Sequence, residues 1–157
     1  MSRGFTLIEM LIVLTIIGLI TGGGVLYLNR SNAVQKIDTS KQELLSNLRF
    51  SRNLAITNQK PSGFAGNLTQ VAVSLGANGV MSAWPNTVGV GQSYFSKDIT
   101  PDGITLTLSS GTIGFSAYEG RFLGVGNTVV ITISSSELTS SDDKQLIINQ
   151  SGLINDL

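Results

Sequence analysis

The sequence predicts an α+β chain, with one long N-terminal helix packed on a C-terminal antiparallel β-sheet domain. Three observations carry that class. No proline occurs before Pro61, and the apolar pattern stays compatible with helix as far as Ile56. Beyond Phe64 the apolar period shortens to two, the period of a strand with one buried face. Apolar residues make up 41% of the chain against 13% charged, which argues against disorder and for a closed core. At 157 residues the chain suits one domain of ordinary size and is too short for two.

The helix divides into two halves with different physics. Residues 10–29 contain no charged side chain and no polar face. Twenty helical residues rise roughly 30 Å, the thickness of a bilayer's hydrocarbon. A secretory signal has a shorter apolar region of about 7–15 residues and a more basic start than the single Arg3 here. Residues 5–28 are therefore expected to form a retained membrane segment. Within it, Glu9 is an acid in an apolar stretch, a placement that costs about 2.5–3.5 kcal/mol on insertion scales. Either it lies at the membrane interface near water, or it has a partner. The run Gly22-Gly23-Gly24 costs about 0.8–1 kcal/mol per glycine relative to alanine. Two readings stand for it: local melting of the helix, or close packing against a neighbouring helix.

Residues 29–60 continue the helix as an amphipathic element. Val34, Ile37, Leu44, Leu45, Leu48, Ala55 and Ile56 form one stripe. Lys36, Asp38, Ser40, Lys41, Gln42, Glu43 and Arg49 are expected on the opposite side, and Pro61 and Gly63 are expected to end the helix. The stripe must pack on the β-rich region, residues 61–157. There, 71–75 and 80–84 flank an Asn78-Gly79 hairpin signal. Residues 104–108 alternate cleanly and are separated from 113–115 by Ser110-Gly111. Residues 129–133 and 146–148 are joined by a Ser- and Asp-rich connection, and Gly152 punctuates before Leu153 and Ile154. Six or seven antiparallel strands follow, one face packed on the helical stripe.

Ten Lys and Arg balance ten Asp and Glu, but the zero is a sum of unlike zones. Residues 29–60 carry six cations and two anions, whereas residues 61–157 carry three cations and seven anions. A basic stalk thus precedes an acidic head. The stalk invites a DNA reading, the weakest of the partner readings, because only Phe50 could serve there as a stacking platform. The usual fate of such charges is a solvated helix face or contact with acidic neighbours.

Enzyme chemistry finds little material. The chain has no Cys and no His, which removes disulfides, thiolate sites and the commonest base and metal ligand. No catalytic residue, metal or cofactor is assigned. Ser141-Asp-Asp-Lys144 has the spacing of a serine–lysine pair but falls in a polar connection between strands, where the one-turn helical geometry it needs is absent. Gly89-Val-Gly91 and Gly124-Val-Gly126 lack the strand-to-helix context of a nucleotide loop. Asp142 with Asp143, and Asp98 with Asp102, offer calcium-type oxygen ligands without EF-hand spacing, so solvated loop acids are the plainer reading. Asn67-Leu-Thr69 and Asn149-Gln-Ser151 match a glycosylation sequon.

The N-terminus carries the sharpest signal. Met1-Ser-Arg-Gly4 followed by Phe5-Thr-Leu-Ile-Glu9 resembles the signal of type IV pilins and pseudopilins. The resemblance implies a leader, residues 1–4, cut after Gly4 by a prepilin peptidase, and N-methylation of the new terminus at Phe5. It implies that Glu9 neutralises the terminal amine of a neighbouring subunit during assembly. The unwinding seen in assembled pilins usually precedes a proline. Here it would fall to Gly22, Gly23 and Gly24.

The globular part is similar to H-type minor pseudopilins and minor pilins. Phe115-Ser-Ala-Tyr-Glu-Gly120, then 129–133, then 145–152 follow that outline, with Ser116 where proline is common and no C-terminal Cys pair. The fold implied is type IV pilin-like. The partners implied are copies of the chain, other pilins or pseudopilins, the prepilin peptidase and an inner-membrane assembly platform. The implied role is a structural subunit, minor rather than major, in a bacterial inner membrane with its head outside the cytoplasm and later in a filament. The alternatives are a major pilin, or a membrane-tethered module that recognises DNA, a secreted substrate or a surface, with Trp84-Pro85 as the first place to look.

Overall fold

The computed structural model describes residues 6–156 apart from 77–78, 102, 110–111 and 125, and describes residues 23–27 by their helical backbone alone. Asn78 of the expected hairpin turn and Asp102 of the acid pair thus lie outside the described residues.

Helix α1 runs from Leu7 to Ile56 as one unbroken element of 50 residues. Thr6 caps its start in extended conformation, its hydroxyl accepting from the Glu9 backbone N–H at 3.4 Å. Asn58, not Pro61 or Gly63, ends it. Asn58 adopts φ 51°, its N–H donates to the Ala55 carbonyl, and the Gln59 N–H donates to the Leu54 carbonyl. That pair of bonds is a Schellman closure, in which Asn takes the left-handed position usually filled by Gly.

Among the described residues eight strands follow: β1 (Gln70–Leu75), β2 (Val80–Pro85), β3 (Phe95–Asp98), β4 (Ile104–Leu108), β5 (Ile113–Ser116), β6 (Thr128–Ser135), β7 (Lys144–Asn149) and β8 (Ile154–Asp156). They outnumber the six or seven expected and form two antiparallel sheets of four, in the orders β3-β2-β1-β5 and β4-β6-β7-β8. The β1–β2 hairpin has the expected register, with Val73 opposite Ala83. Strands β4 and β5 are consecutive yet belong to different sheets, β4 pairing with β6 and β5 with β1. Strand β3 was not legible in the alternation.

One core joins both sheets to the second half of α1. Ile37, Leu44 and Leu48 from the helix meet Val71, Val73, Phe115, Ile131, Ile133, Leu146 and Ile148, all essentially inaccessible to solvent. The buried stripe is Ala33, Ile37, Ser40, Leu44, Leu48, Ser51, Leu54 and Ala55. It adds Ala33, Ser51 and Leu54 to the expected one, leaves Val34 and Leu45 half-buried, and overturns the expectation at Ile56 and Ser40. Ile56 is exposed, because one residue past buried Ala55 turns its side chain about 100° around the helix, off the buried face. Ser40 is buried rather than on the polar face, because a side chain three residues past Ile37 and four before Leu44 must share their side.

Two glycines are required by close approach. Gly120 and Gly152 both have positive φ, 64° and 75°, and a Cβ on Gly152 would stand 1.9 Å from the Gly120 carbonyl oxygen. That carbonyl accepts from Arg52 Nε of α1 at 3.1 Å. The helix, the turn after β5 and the β7–β8 turn are thus joined at one point.

Candidate functional site

The functional region is built from the start of α1 upward. Glu9 sits in the first helical turn, where the Thr6 carbonyl accepts from its N–H at 3.1 Å and the helix dipole favours a negative charge. Its side chain is exposed, as is every described side chain from Thr6 to Gly22. Leu7, Ile8, Leu11, Leu14, Leu19 and Ile20 all project from the molecule, Leu7 at 84% of full exposure. An apolar surface of this extent marks a membrane or protein contact that the chain cannot provide for itself.

Two polar groups in this stretch had no sequence-level reading. Thr15 and Thr21 donate their hydroxyls to the carbonyls of Leu11 and Ile17, four residues earlier. Each thus satisfies its hydroxyl within the helix, as an apolar surrounding demands. The signal was present as two threonines in a run without charge.

Gly22, Gly23 and Gly24 lie within unbroken helix in the single chain. A Cβ built on Gly18 or Gly22 would meet nothing within 4 Å, so no contact among the described residues requires a glycine at either position. Gly4 and Phe5, the expected cut and methylation site, lie outside the described residues. Among the described residues no helix is long and apolar enough to cross a membrane, the described side chains of the apolar run covering residues 6–22 and resuming at Leu28.

Where the helix meets the head, the basic stalk is tied to the acidic domain of the same chain. Arg30 pairs with Asp142 at 3.3 Å, Lys36 with Glu137 at 3.9 Å, and Lys41 with Asp156. Glu43 answers Lys97 at 3.1 Å in the opposite sense. The acidic neighbours of the stalk are thus within the chain itself. Exposed pairs of this kind contribute little stability one by one, and the buried stripe sets which face of the helix the head occupies. The hydrogen bond from Thr139, assisted by Arg30 and opposed by partial desolvation, holds the Asp142 carboxyl below its ordinary pKa.

The other candidate residues are not brought together. Ser141 belongs to a 3-10 turn, Ser140–Asp142, and Lys144 begins β7, so no helical turn links them. Asp98 accepts from the Thr100 N–H, and Asp142 is engaged by Arg30 and Thr139. Among the described residues no group of three or more acids could hold a metal. Trp84 is half-buried on β2 and Pro85 is buried, so the surface imagined there is not an exposed one.

Residues 1–25 match the prokaryotic N-terminal methylation motif. No curated protein matches the chain. Among solved structures, the type IV minor pilin FimU of Pseudomonas aeruginosa superposes with a TM-score of 0.63 at 13% identity, over 78% of this chain and 89% of that one. A second crystal form of FimU gives 0.60 at 13% identity, over 76% and 91%. The minor pseudopilin EpsH of the type 2 secretion system of Vibrio cholerae gives 0.55 at 13% identity, over 78% and 96%. At such identity the structures speak for the fold, and the N-terminal motif speaks for the signal. Residues 1–25 thus carry the methylation motif, and the fold is shared with the minor pilin FimU and the minor pseudopilin EpsH.

Proposed function

We propose that this chain is a structural subunit of a type IV pilus-like or type II secretion filament, of the minor pilin or minor pseudopilin kind, and not an enzyme. The observation that carries the reading is the contrast along α1. A capped apolar half, whose described side chains are all exposed, leads without a break into a half that is packed on the head. Such a molecule has a complete domain and an incomplete helix.

In this reading residues 5–28 span the inner membrane with the head outside the cytoplasm. A prepilin peptidase cuts after Gly4, and Phe5 becomes the methylated terminus. Glu9 stays tolerable in lipid because it lies in the first turn, close to the interface. On assembly it receives the amine of a neighbouring subunit, which offsets the roughly 2.5–3.5 kcal/mol of burying an unpaired acid. Leaving the bilayer exchanges lipid contact for helix-to-helix packing, with an assembly platform and its ATPase supplying work. Gly22, Gly23 and Gly24 provide the local weak point at which the packed helix unwinds.

Mass spectrometry of the N-terminal peptide, from cells that contain the assembly machinery, tests the reading. The expected peptide begins at Phe5 and carries one methyl group, and it is found both in membranes and, at trace stoichiometry, in sheared filaments. A peptide still beginning at Met1 in filament-forming cells would sink the proposal. Stoichiometric abundance in filaments would make the chain a major subunit instead.

A further inference from the structure

Residues 29–39 of α1 and the connection between β6 and β7 face each other across an open cleft of about 1120 Å³. Arg30 and Lys36 stand on the helix wall, and Glu137, Thr139 and Asp142 on the other. The cleft has a definite height. Arg30 is two residues past Leu28, the end of the apolar segment, which is roughly 3 Å of helix rise. A headgroup layer extends about 5–7 Å beyond the hydrocarbon on each side. Arg30 and Asp142 therefore stand at headgroup depth once residues 5–28 span the bilayer.

The two groups at that depth have opposite charge and a loose mutual contact. Arg30 Nη2 donates to both Asp142 oxygens at 3.3 and 3.4 Å, longer than a tight charge-assisted bond, and the Arg30 side chain is 69% exposed. Thr139 donates to Asp142 Oδ2 at 2.9 Å, which fixes the carboxylate and leaves it further acceptor capacity. A guanidinium fork suits a phosphate, and a carboxylate suits a primary ammonium. An anionic headgroup would satisfy Arg30 and be repelled by Asp142 and Glu137. A headgroup carrying phosphate and primary ammonium a few bonds apart satisfies both walls.

We propose that this cleft binds the headgroup of a phosphoethanolamine phospholipid in the leaflet from which the helix emerges, with the phosphate on Arg30 and the ammonium on Asp142. The proposal rests on the reading of residues 5–28 as a membrane span. It gives the head a fixed height and orientation against the bilayer before extraction.

Native mass spectrometry of the full chain in nanodiscs tests it. The discs hold equal amounts of phosphatidylethanolamine, phosphatidylcholine and phosphatidylglycerol with the same acyl chains. The ethanolamine lipid is expected to be retained about tenfold over the choline lipid, the factor of one charge-assisted hydrogen bond that a trimethylammonium cannot make. Asp142→Asn is expected to bring that ratio to about one, whereas Asp142→Glu keeps it. Arg30→Gln lowers retention of both lipids and leaves their ratio. Equal retention of ethanolamine and choline lipids by the parent chain overturns the proposal, as does glycerol-lipid retention equal to ethanolamine. Displacement by an equal concentration of soluble phosphoethanolamine overturns the lipid as the source. A chain that fails to insert into the discs overturns the membrane span together with the proposal, whereas insertion without selectivity overturns the proposal alone.

Discussion

The two halves of α1 share one backbone and differ in almost everything else. From Thr6 to Gly22 every described side chain is exposed, whereas between Ala33 and Ala55 a stripe of eight residues is buried. Both halves are helical for different reasons. In the second, an apolar stripe packed on two sheets holds the helix, the usual source of helical stability in a folded domain. In the first, every described side chain from Thr6 to Gly22 is free of packing against the described residues of the head. Its helix rests on the capped first turn and on the fact that a helix satisfies its own backbone polar groups, as lipid requires. Thr15 and Thr21 extend that self-sufficiency to side chains. One half therefore belongs to this molecule's core, and the other to an environment the molecule has yet to meet.

Glycine substitution gives the largest contrast. Gly152→Ala would force a Cβ against the Gly120 carbonyl at a positive φ. It is expected to destabilise the head by on the order of 3 kcal/mol, from overpacking and left-handed backbone together. Gly22→Ala meets open space and is expected to strengthen the helix by about 1 kcal/mol. Denaturant unfolding followed by far-ultraviolet circular dichroism reads both. In filaments, replacing Gly22, Gly23 and Gly24 together with alanine should reduce extension, and unchanged extension would remove the melting reading in favour of close packing.

A smaller effect of opposite sign is expected at Ser40. Its hydroxyl is buried without a hydrogen-bond partner. Ser40→Ala should raise head stability by about 1 kcal/mol, since an unpaired buried hydroxyl is removed. Ser51, equally buried, donates to the Asn47 carbonyl at 2.8 Å, and Ser51→Ala should bring no such gain.

The smallest effect concerns the stalk-to-head ion pairs. The folded Asp142 pKa lies below its unfolded value of about 4. Its contribution to stability is therefore present above that value and is lost as pH falls through the folded pKa. Carboxyl NMR titration of the head should show the lowered midpoint, with Thr139→Val and Arg30→Gln each moving it back up.

The helix was legible as one continuous element, because more than fifty positions without proline and a stripe at threes and fours leave no competing reading, but its end was set at Pro61 and Gly63 where Asn58 closes it. The Asn78-Gly79 signal and the alternation in 71–75 and 80–84 likewise defined the β1–β2 hairpin. What escaped had no local signature. Strand β3 is four residues long, with Ser96, Lys97 and Asp98 exposed at a sheet edge, so no alternation marks it. The division into two sheets depends on β4 choosing β6 across more than twenty residues while β5 returns to β1. Composition in a short polar connection carries no record of that choice. Ser40 was assigned by polarity where position should have ruled. At the functional end, Glu9 and the apolar run were visible at once, while the Arg30–Asp142 pair joins residues 112 apart and had to await the fold.

Cross-linking tests most directly whether the first half of α1 makes its contacts with other molecules and the second half with its own head. The chain has no native cysteine, so one introduced thiol reports on its own position. Leu14→Cys places it on the exposed half and Leu44→Cys in the core, at 69% and 0% exposure. Sheared filaments are treated with a short bis-maleimide. Leu14→Cys is expected to give cross-links between this chain and a second pilin or pseudopilin carrying its own thiol on the apolar helix, whereas Leu44→Cys gives none. Filaments that contain the Leu14→Cys chain only as monomer, or cross-linking through Leu44→Cys, would contradict it.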